Sequence, residues 1–209
     1  MLGWSNLRAG KEWKIPLPVD FSRDGKADLL WLNVATGEAS ISFMDDGVPF
    51  FEDILFVNGD WEVRASGDFD GNNNHDLLWY NPVAHETVVW LMLANNISSW
   101  RSLLTDPDKQ VSSVTDFDGD GKSDLLWHSA ATGETSIWLM NGTKVLNQTV
   151  LFTDPYWRVT ATPDFNGDGK SDLLWTYPPT GETVIWIMDG TARVSQSSLL
   201  TDVRVTVSR

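Results

Sequence analysis

The sequence predicts an all-β fold in which one four-stranded unit is used four times. Three observations carry that prediction. A 12-residue segment recurs every 48 residues without slippage: DFSRDGKADLLW from Asp20, DFDGNNNHDLLW from Asp68, DFDGDGKSDLLW from Asp116 and DFNGDGKSDLLW from Asp164. Between the copies, polar and apolar residues alternate in runs rich in Ile, Val and Trp, the pattern of half-buried strands. No segment sustains a helical period.

Each element of the unit has its own signal. The first strand precedes the acidic segment, as Trp157–Thr162 does. The second is DLLW and its continuation, with Leu29 and Trp31 on one face and Leu30 on the other. A turn follows at Thr36-Gly37-Glu38, Thr132-Gly133-Glu134 and Thr180-Gly181-Glu182. The third strand is TSIWLM at 135–140 and TVIWIM at 183–188, and Asn141-Gly142 and Asp189-Gly190 then mark a hairpin turn. The fourth strand runs to Leu151-Phe152 or Leu199-Leu200.

Four strands in a unit of this length is the arithmetic of a β-propeller blade. A parallel solenoid would lack the two hairpin turns per unit. The expectation is therefore a β-propeller of four 48-residue blades forming a single domain over residues 1–209, with partial units at both ends. Residues 2–9 align with a fourth strand and residues 203–207 with a first strand. Such overhangs predict either closure of the ring by association, a homo-oligomer that shares strands across a junction, or ends that meet within one chain as an incomplete fifth blade.

Ten of the twelve tryptophans fall into three series in register with the repeat. Trp31, Trp79, Trp127 and Trp175 end DLLW. Trp90, Trp138 and Trp186 form a second series, with Ser42 in the first copy. Trp13, Trp61 and Trp157 form a third, with Lys109 in the odd place. Most are expected in the core.

Composition excludes several classes. Fifteen basic against 29 acidic residues give a net charge of −14, which argues against nucleic acid or anionic lipid as a partner and suits cations. There are no cysteines, hence no disulfide, thiolate metal site or Cys nucleophile. No run of about 18 apolar residues predicts membrane insertion, and the start MLGWSNLRAGKEW lacks the apolar segment of a signal peptide.

The acidic segment reads as a metal loop. In the third copy the pattern is D-x-D-x-D-G-x-x-D, with Asp116, Asp118, Asp120 and Asp124 at positions 1, 3, 5 and 9 and the Lys122 carbonyl at position 7. Several carboxylates in one flexible loop of oxygen donors are calcium chemistry, and Gly at position 6 permits the sharp turn. By alignment the first loop offers Asp20, Ser22, Asp24 and Asp28 with the Lys26 carbonyl. The second offers Asp68, Asp70, Asn72 and Asp76 with the Asn74 carbonyl, and the fourth Asp164, Asn166, Asp168 and Asp172 with the Lys170 carbonyl. Thirteen of the sixteen side-chain positions are Asp, so the clusters repel themselves without cations. Up to four Ca²⁺, one per repeat, are expected. The third loop ranks first by carboxylate count, the first and second lowest. The EF-hand is excluded because position 12 is Trp31, Trp79, Trp127 or Trp175 in a strand, where that loop needs a bidentate Glu. A phosphate loop is excluded because Asp116 and Asp164 stand where it needs Gly.

This motif, between the first two strands of a repeated β unit, resembles the FG-GAP repeat of integrin α subunits, bacterial surface proteins and some lectins. The resemblance implies a propeller with calcium at one rim and a place outside the cell or at its surface. The repeat count is short of the integrins' seven, and the second loop is degenerate.

Nothing predicts an enzyme. GxSxG and HExxH are absent, and His75, His85 and His128 are scattered. Glu38, Glu86, Glu134 and Glu182 recur in every unit, which suits turn structure better than catalysis, whose groups hold different roles. Trp4, Trp100, Asp106, Asp154 and Tyr156 are candidates for binding a glycan or protein ligand, as aromatics beside polar loop groups. The expected function is a non-enzymatic, calcium-binding recognition module, lectin- or adhesin-like; the alternative is a structural propeller domain of a larger secreted enzyme or surface protein.

Overall fold

The computed structural model describes residues 10–199. Sixteen strands form four sheets of four, each in chain order and antiparallel throughout. The first sheet is β1 (Trp13–Val19), β2 (Asp28–Asn33), β3 (Glu38–Asp45) and β4 (Val48–Val57). The second is β5 (Glu62–Gly67), β6 (Asp76–Asn81), β7 (Glu86–Leu93) and β8 (Asn96–Thr105). The third is β9 (Lys109–Thr115), β10 (Asp124–Ser129), β11 (Glu134–Asn141) and β12 (Lys144–Thr153). The fourth is β13 (Arg158–Ala161), β14 (Leu173–Tyr177), β15 (Glu182–Asp189) and β16 (Ala192–Leu199). No helix occurs among the described residues, and none there is long and apolar enough to cross a membrane. The strands expected over 2–9 and 203–207, and Trp4, lie outside the described residues.

The strand pattern agrees with the alternation read from the sequence, with one shift. The turn after the third strand is built on Gly190-Thr191 in the fourth unit, not on Asp189-Gly190. Gly190 has φ 61°, so it fills the first central position of a two-residue turn, where the type II′ geometry requires glycine.

The chain divides into two compact units. One comprises the residues up to Pro107 with Asn141–Lys144, the other Asp108–Met140 with the residues from Val145. In the first, Leu30, Leu32, Ile41 and Phe43 of the first sheet belong to one core with Leu77, Trp79, Val88 and Met92 of the second. In the second, Leu126 and Ile137 share a core with Leu173, Trp175, Val184 and Met188. DLLW serves both sides of this packing because its side chains alternate. Trp79, Trp127 and Trp175 are fully buried. Each such indole removes about 150–250 Å² from water, on the order of 4–6 kcal/mol of gross transfer free energy.

The second Trp series supports the first. Trp90, Trp138 and Trp186 lie 4.9 Å, centroid to centroid, from Trp79, Trp127 and Trp175. Ser42 has its own role in the first unit, accepting a hydrogen bond from Trp31 Nε1 at 2.9 Å.

A β-bulge recurs between the first two strands of every sheet. In the third and fourth sheets the extra residue is Ser112 or Thr160, and its hydroxyl donates to the Leu126 or Leu174 carbonyl at 3.2 Å. That bond satisfies a carbonyl beside the broken ladder.

Candidate metal centre

All four acidic segments are loops between the first and second strands of a sheet. Their first Asp shapes the backbone. Asp20 Oδ1 accepts the N–H of Arg23 at 2.6 Å and Oδ2 that of Gly25 at 2.9 Å. Asp68 does the same for Gly71 and Asn73, Asp116 for Gly119 and Gly121, and Asp164 for Gly167 and Gly169. These donors, Gly169 foremost, hold the Asp164 carboxyl below the usual carboxylate range. Positions 3 and 5 close smaller turns two residues on: Asp118 Oδ1 accepts Asp120 N–H at 3.1 Å, and Asp120 Oδ1 accepts Lys122 N–H at 2.9 Å.

Folding the chain around one carboxylate needs two left-handed residues. Position 6 is Gly25, Asn73, Gly121 or Gly169, with φ between 61° and 85°. Position 4 is left-handed too, as Arg23, Gly71, Gly119 and Gly167, with φ between 63° and 79°. The sequence reading anticipated only position 6.

Position 9 has a second duty. Asp28, Asp76, Asp124 and Asp172 are fully buried. In each, Oδ2 accepts the N–H of the loop's Phe, from Phe21, Phe69, Phe117 and Phe165, at 2.8–2.9 Å. Oδ1 accepts the N–H of a third-strand Met, from Met44, Met92, Met140 and Met188, at 2.7–2.9 Å. One carboxylate thus ties the loop to its own sheet. Burial pushes Asp76 and Asp124 up to about 7, against the opposing pull of these backbone donors. Apart from Asp28 Oδ2, which also accepts the Ser22 N–H at 2.9 Å, each oxygen keeps a lone pair for another partner.

In two loops three carboxylates converge, with one oxygen from each lying within 4.8 Å of the others: Asp68, Asp70 and Asp76, and Asp116, Asp118 and Asp120. The second loop, placed low by carboxylate count, is therefore one of the two gathered ones. Burial raises Asp118 as well. An all-carboxylate cluster of this kind fits a hard divalent cation better than a soft one.

The remaining ligand positions are occupied by polar partners. Ser22 Oγ donates to Asp20 at 3.3 Å, Asn72 Nδ2 to Asp70 at 3.0 Å, and Asn166 Nδ2 to Asp168 at 2.9 Å. Asn74 is buried and donates from Nδ2 to Asn72. Lys122 Nζ lies 2.7 Å from Asp120. Lys26 and Lys170 reach away from their loops, to Asp45 and to Asp189 at the hairpin turn. Asp24 Oδ1 accepts Lys26 N–H at 2.8 Å.

Among the described residues, each candidate ligand residue has its own surroundings. Trp100 is 65% exposed on β8. Asp106 donates its backbone N–H to the His85 carbonyl at 2.9 Å. The Asp154 carboxylate is spent on the backbone of its own loop, accepting from Tyr156 N–H at 2.8 Å. Tyr156 packs edge-on against Tyr177 at 5.9 Å.

Comparison with known proteins bears on the fourth loop most directly. Residues 156–188 match the FG-GAP repeat model. Among solved structures, the crystal structure of the V. cholerae biofilm matrix protein Bap1 aligns with a TM-score of 0.44 and 16% identity over 88% of this chain. The aligned part is 28% of that chain. No curated protein matches the sequence. The matched segment contains the acidic loop from Asp164 to Asp172, the last of the four copies in the sequence.

Proposed function

We propose that this protein is a calcium-binding recognition module, non-enzymatic, acting outside the cell or at its surface on a glycan or protein ligand. The observation that carries the reading is the convergence of Asp68, Asp70 and Asp76, and of Asp116, Asp118 and Asp120. Three carboxylates that close together are stable when a cation joins them or protons neutralise them. Positions 1, 3, 5 and 9 would hold the ion, with the carbonyls of Lys26, Asn74, Lys122 and Lys170. Calcium would supply charge neutralisation there. The four sheets serve as propeller blades, and a second copy completes the ring.

Calcium that binds only the folded state adds RT ln(1 + [L]/Kd), about 2.7 kcal/mol per site at a hundredfold excess. EGTA should therefore lower the melting temperature, and titration should return calcium to the loops. An unchanged melting temperature, with no calcium found by metal analysis, refutes the reading. Light scattering with and without calcium tests the ring.

A further inference from the structure

The first unit holds a cleft of about 340 Å³ lined by Leu55, Trp61, Glu86, Trp90, Ile97 and Trp100. Its volume is at the small end of the roughly 300–1,000 Å³ range of ligand sites. Trp90 and Trp100 face each other directly across β7 and β8, so their indoles share one face of the sheet. Glu86 opens β7, and no side chain among the described residues bonds its carboxylate.

The same positions recur in the third and fourth repeats, and there the chain supplies its own cation. In the fourth repeat Trp157, Glu182 and Trp186 line a cleft of about 270 Å³. Arg193, which stands where the second repeat has Ile97, lies over the Trp186 ring with its guanidinium carbon 4.5 Å from the centroid. It also donates to Gln196, the counterpart of Trp100, at 2.8 Å. In the third repeat Lys109 replaces the tryptophan of Trp61 and Trp157, and its Nζ meets Glu134 at 2.7 Å. The cations near the second cleft are committed elsewhere. Arg64 stacks on Tyr80 at 4.8 Å and pairs with Glu62. Arg101 follows Trp100 directly, so the strand alternation points it to the opposite face.

We infer that the Trp61–Glu86–Trp90–Trp100 cleft takes a cation from outside, the guanidinium of an arginine on a protein partner. Three indoles and a carboxylate supply the components of a cation–π site. A planar guanidinium stacks on an indole while its N–H groups meet a carboxylate. The net charge of −14 draws basic segments toward the protein. This inference deepens the proposed recognition function and rests on it.

The test is fluorescence anisotropy with a labelled arginine-bearing peptide and its citrulline counterpart, on the full chain in calcium at fixed ionic strength. The expected result is binding of the arginine peptide alone. Trp100→Ala should weaken it about tenfold, and Glu86→Gln severalfold, with melting unchanged because Trp100 is exposed. The Trp100 change leaves the charge intact, so it separates a built cleft from general attraction to an acidic protein. Equal affinity of Trp100→Ala and wild type overturns the cleft; so does equal affinity for citrulline. A glycan array bound by wild type and lost in Trp100→Ala overturns the cation as occupant and leaves the recognition function standing. Binding to a protein or glycan that is indifferent to both variants overturns only this site. Absence of any binding by a folded, calcium-loaded chain overturns both readings.

Discussion

The two ends of each sheet are held by different means. At one end, carboxylates organise the backbone: Asp124 alone ties the Phe117 and Met140 N–H groups together. At the other end, close backbone approach does the work. A Cβ added to Gly133 would lie 2.3 Å from the carbonyl carbon of Asp154, and Asp154 donates its N–H to the Gly133 carbonyl at 3.2 Å. The acidic end repeats with little variation, whereas the opposite end changes from unit to unit: His85 stands where its neighbours have Gly, at φ 54°. Bonds made by side chains constrain sequence strictly. Bonds made between backbones leave it freer, apart from the space they need.

Asp124→Ala should be the most damaging test of this contrast. It strands two buried N–H donors, at a cost of about 1–3 kcal/mol each. Asp154→Ala removes bonds in an exposed loop and should cost about 1 kcal/mol. Denaturant titration of both variants checks this, and equal losses would abolish the distinction between the ends.

Gly133→Ala should come next, at about 3 kcal/mol, because it adds a backbone clash to left-handed strain. Its control is Gly121→Ala at the acidic end. Gly121 has φ 80° but nothing near its missing Cβ, so only the strain of about 1–2 kcal/mol applies. Thermal melts of the pair separate space from conformation.

The acidic end should also answer to pH. Asp76 and Asp124 titrate at about 7 in the fold, against 3.8 when unperturbed. The folded state then holds protons that the unfolded state has released. In EGTA, the contribution of these two carboxyls to stability should be greatest below the unfolded carboxylate range and be lost as pH rises through about 7, by on the order of 1–3 kcal/mol in all. Calcium favours the charged carboxylates and should flatten that slope. Melting curves from pH 5 to 8, with and without calcium, measure both.

Arg23→Gly should give the smallest effect, a gain of under about 1 kcal/mol. Arg23 sits at φ 63° where three loops have Gly, and relief of strain exceeds the added entropy of the unfolded chain only modestly. A loss of stability by calorimetry would show that the Arg23 side chain contributes more than its backbone costs.

The strands, their order and the acidic loops were legible because each is a local pattern: alternation of period two, a 48-residue step, carboxylates at fixed intervals. The second duty of position 9 was not, because its Met partner lies 16 residues on, across a hairpin. Left-handed backbone at position 4 is signalled by Gly71, Gly119 and Gly167, and only Arg23 of the first loop carries no turn signal. The cleft escaped for another reason. Leu55, Trp61, Glu86 and Trp100 come from separate strands or loops, and no spacing brings them together on paper. Of the candidate ligand residues, Trp100 stands in that cleft, while Asp154 is occupied by its own turn.

The loop of the third repeat does not end its influence at its own sheet. The Asp116 carbonyl accepts the Ser171 N–H at 2.8 Å, and the Phe117 carbonyl accepts the Gly190 N–H at 3.0 Å. Both donors belong to the fourth repeat. Ordering one loop therefore also presents fixed acceptors to the next repeat. In a tandem array, that is a nearest-neighbour coupling of the kind that makes unfolding travel from repeat to repeat. A cation bound in the third loop would then protect amide hydrogens in the fourth from exchange, beyond the reach of its own ligands.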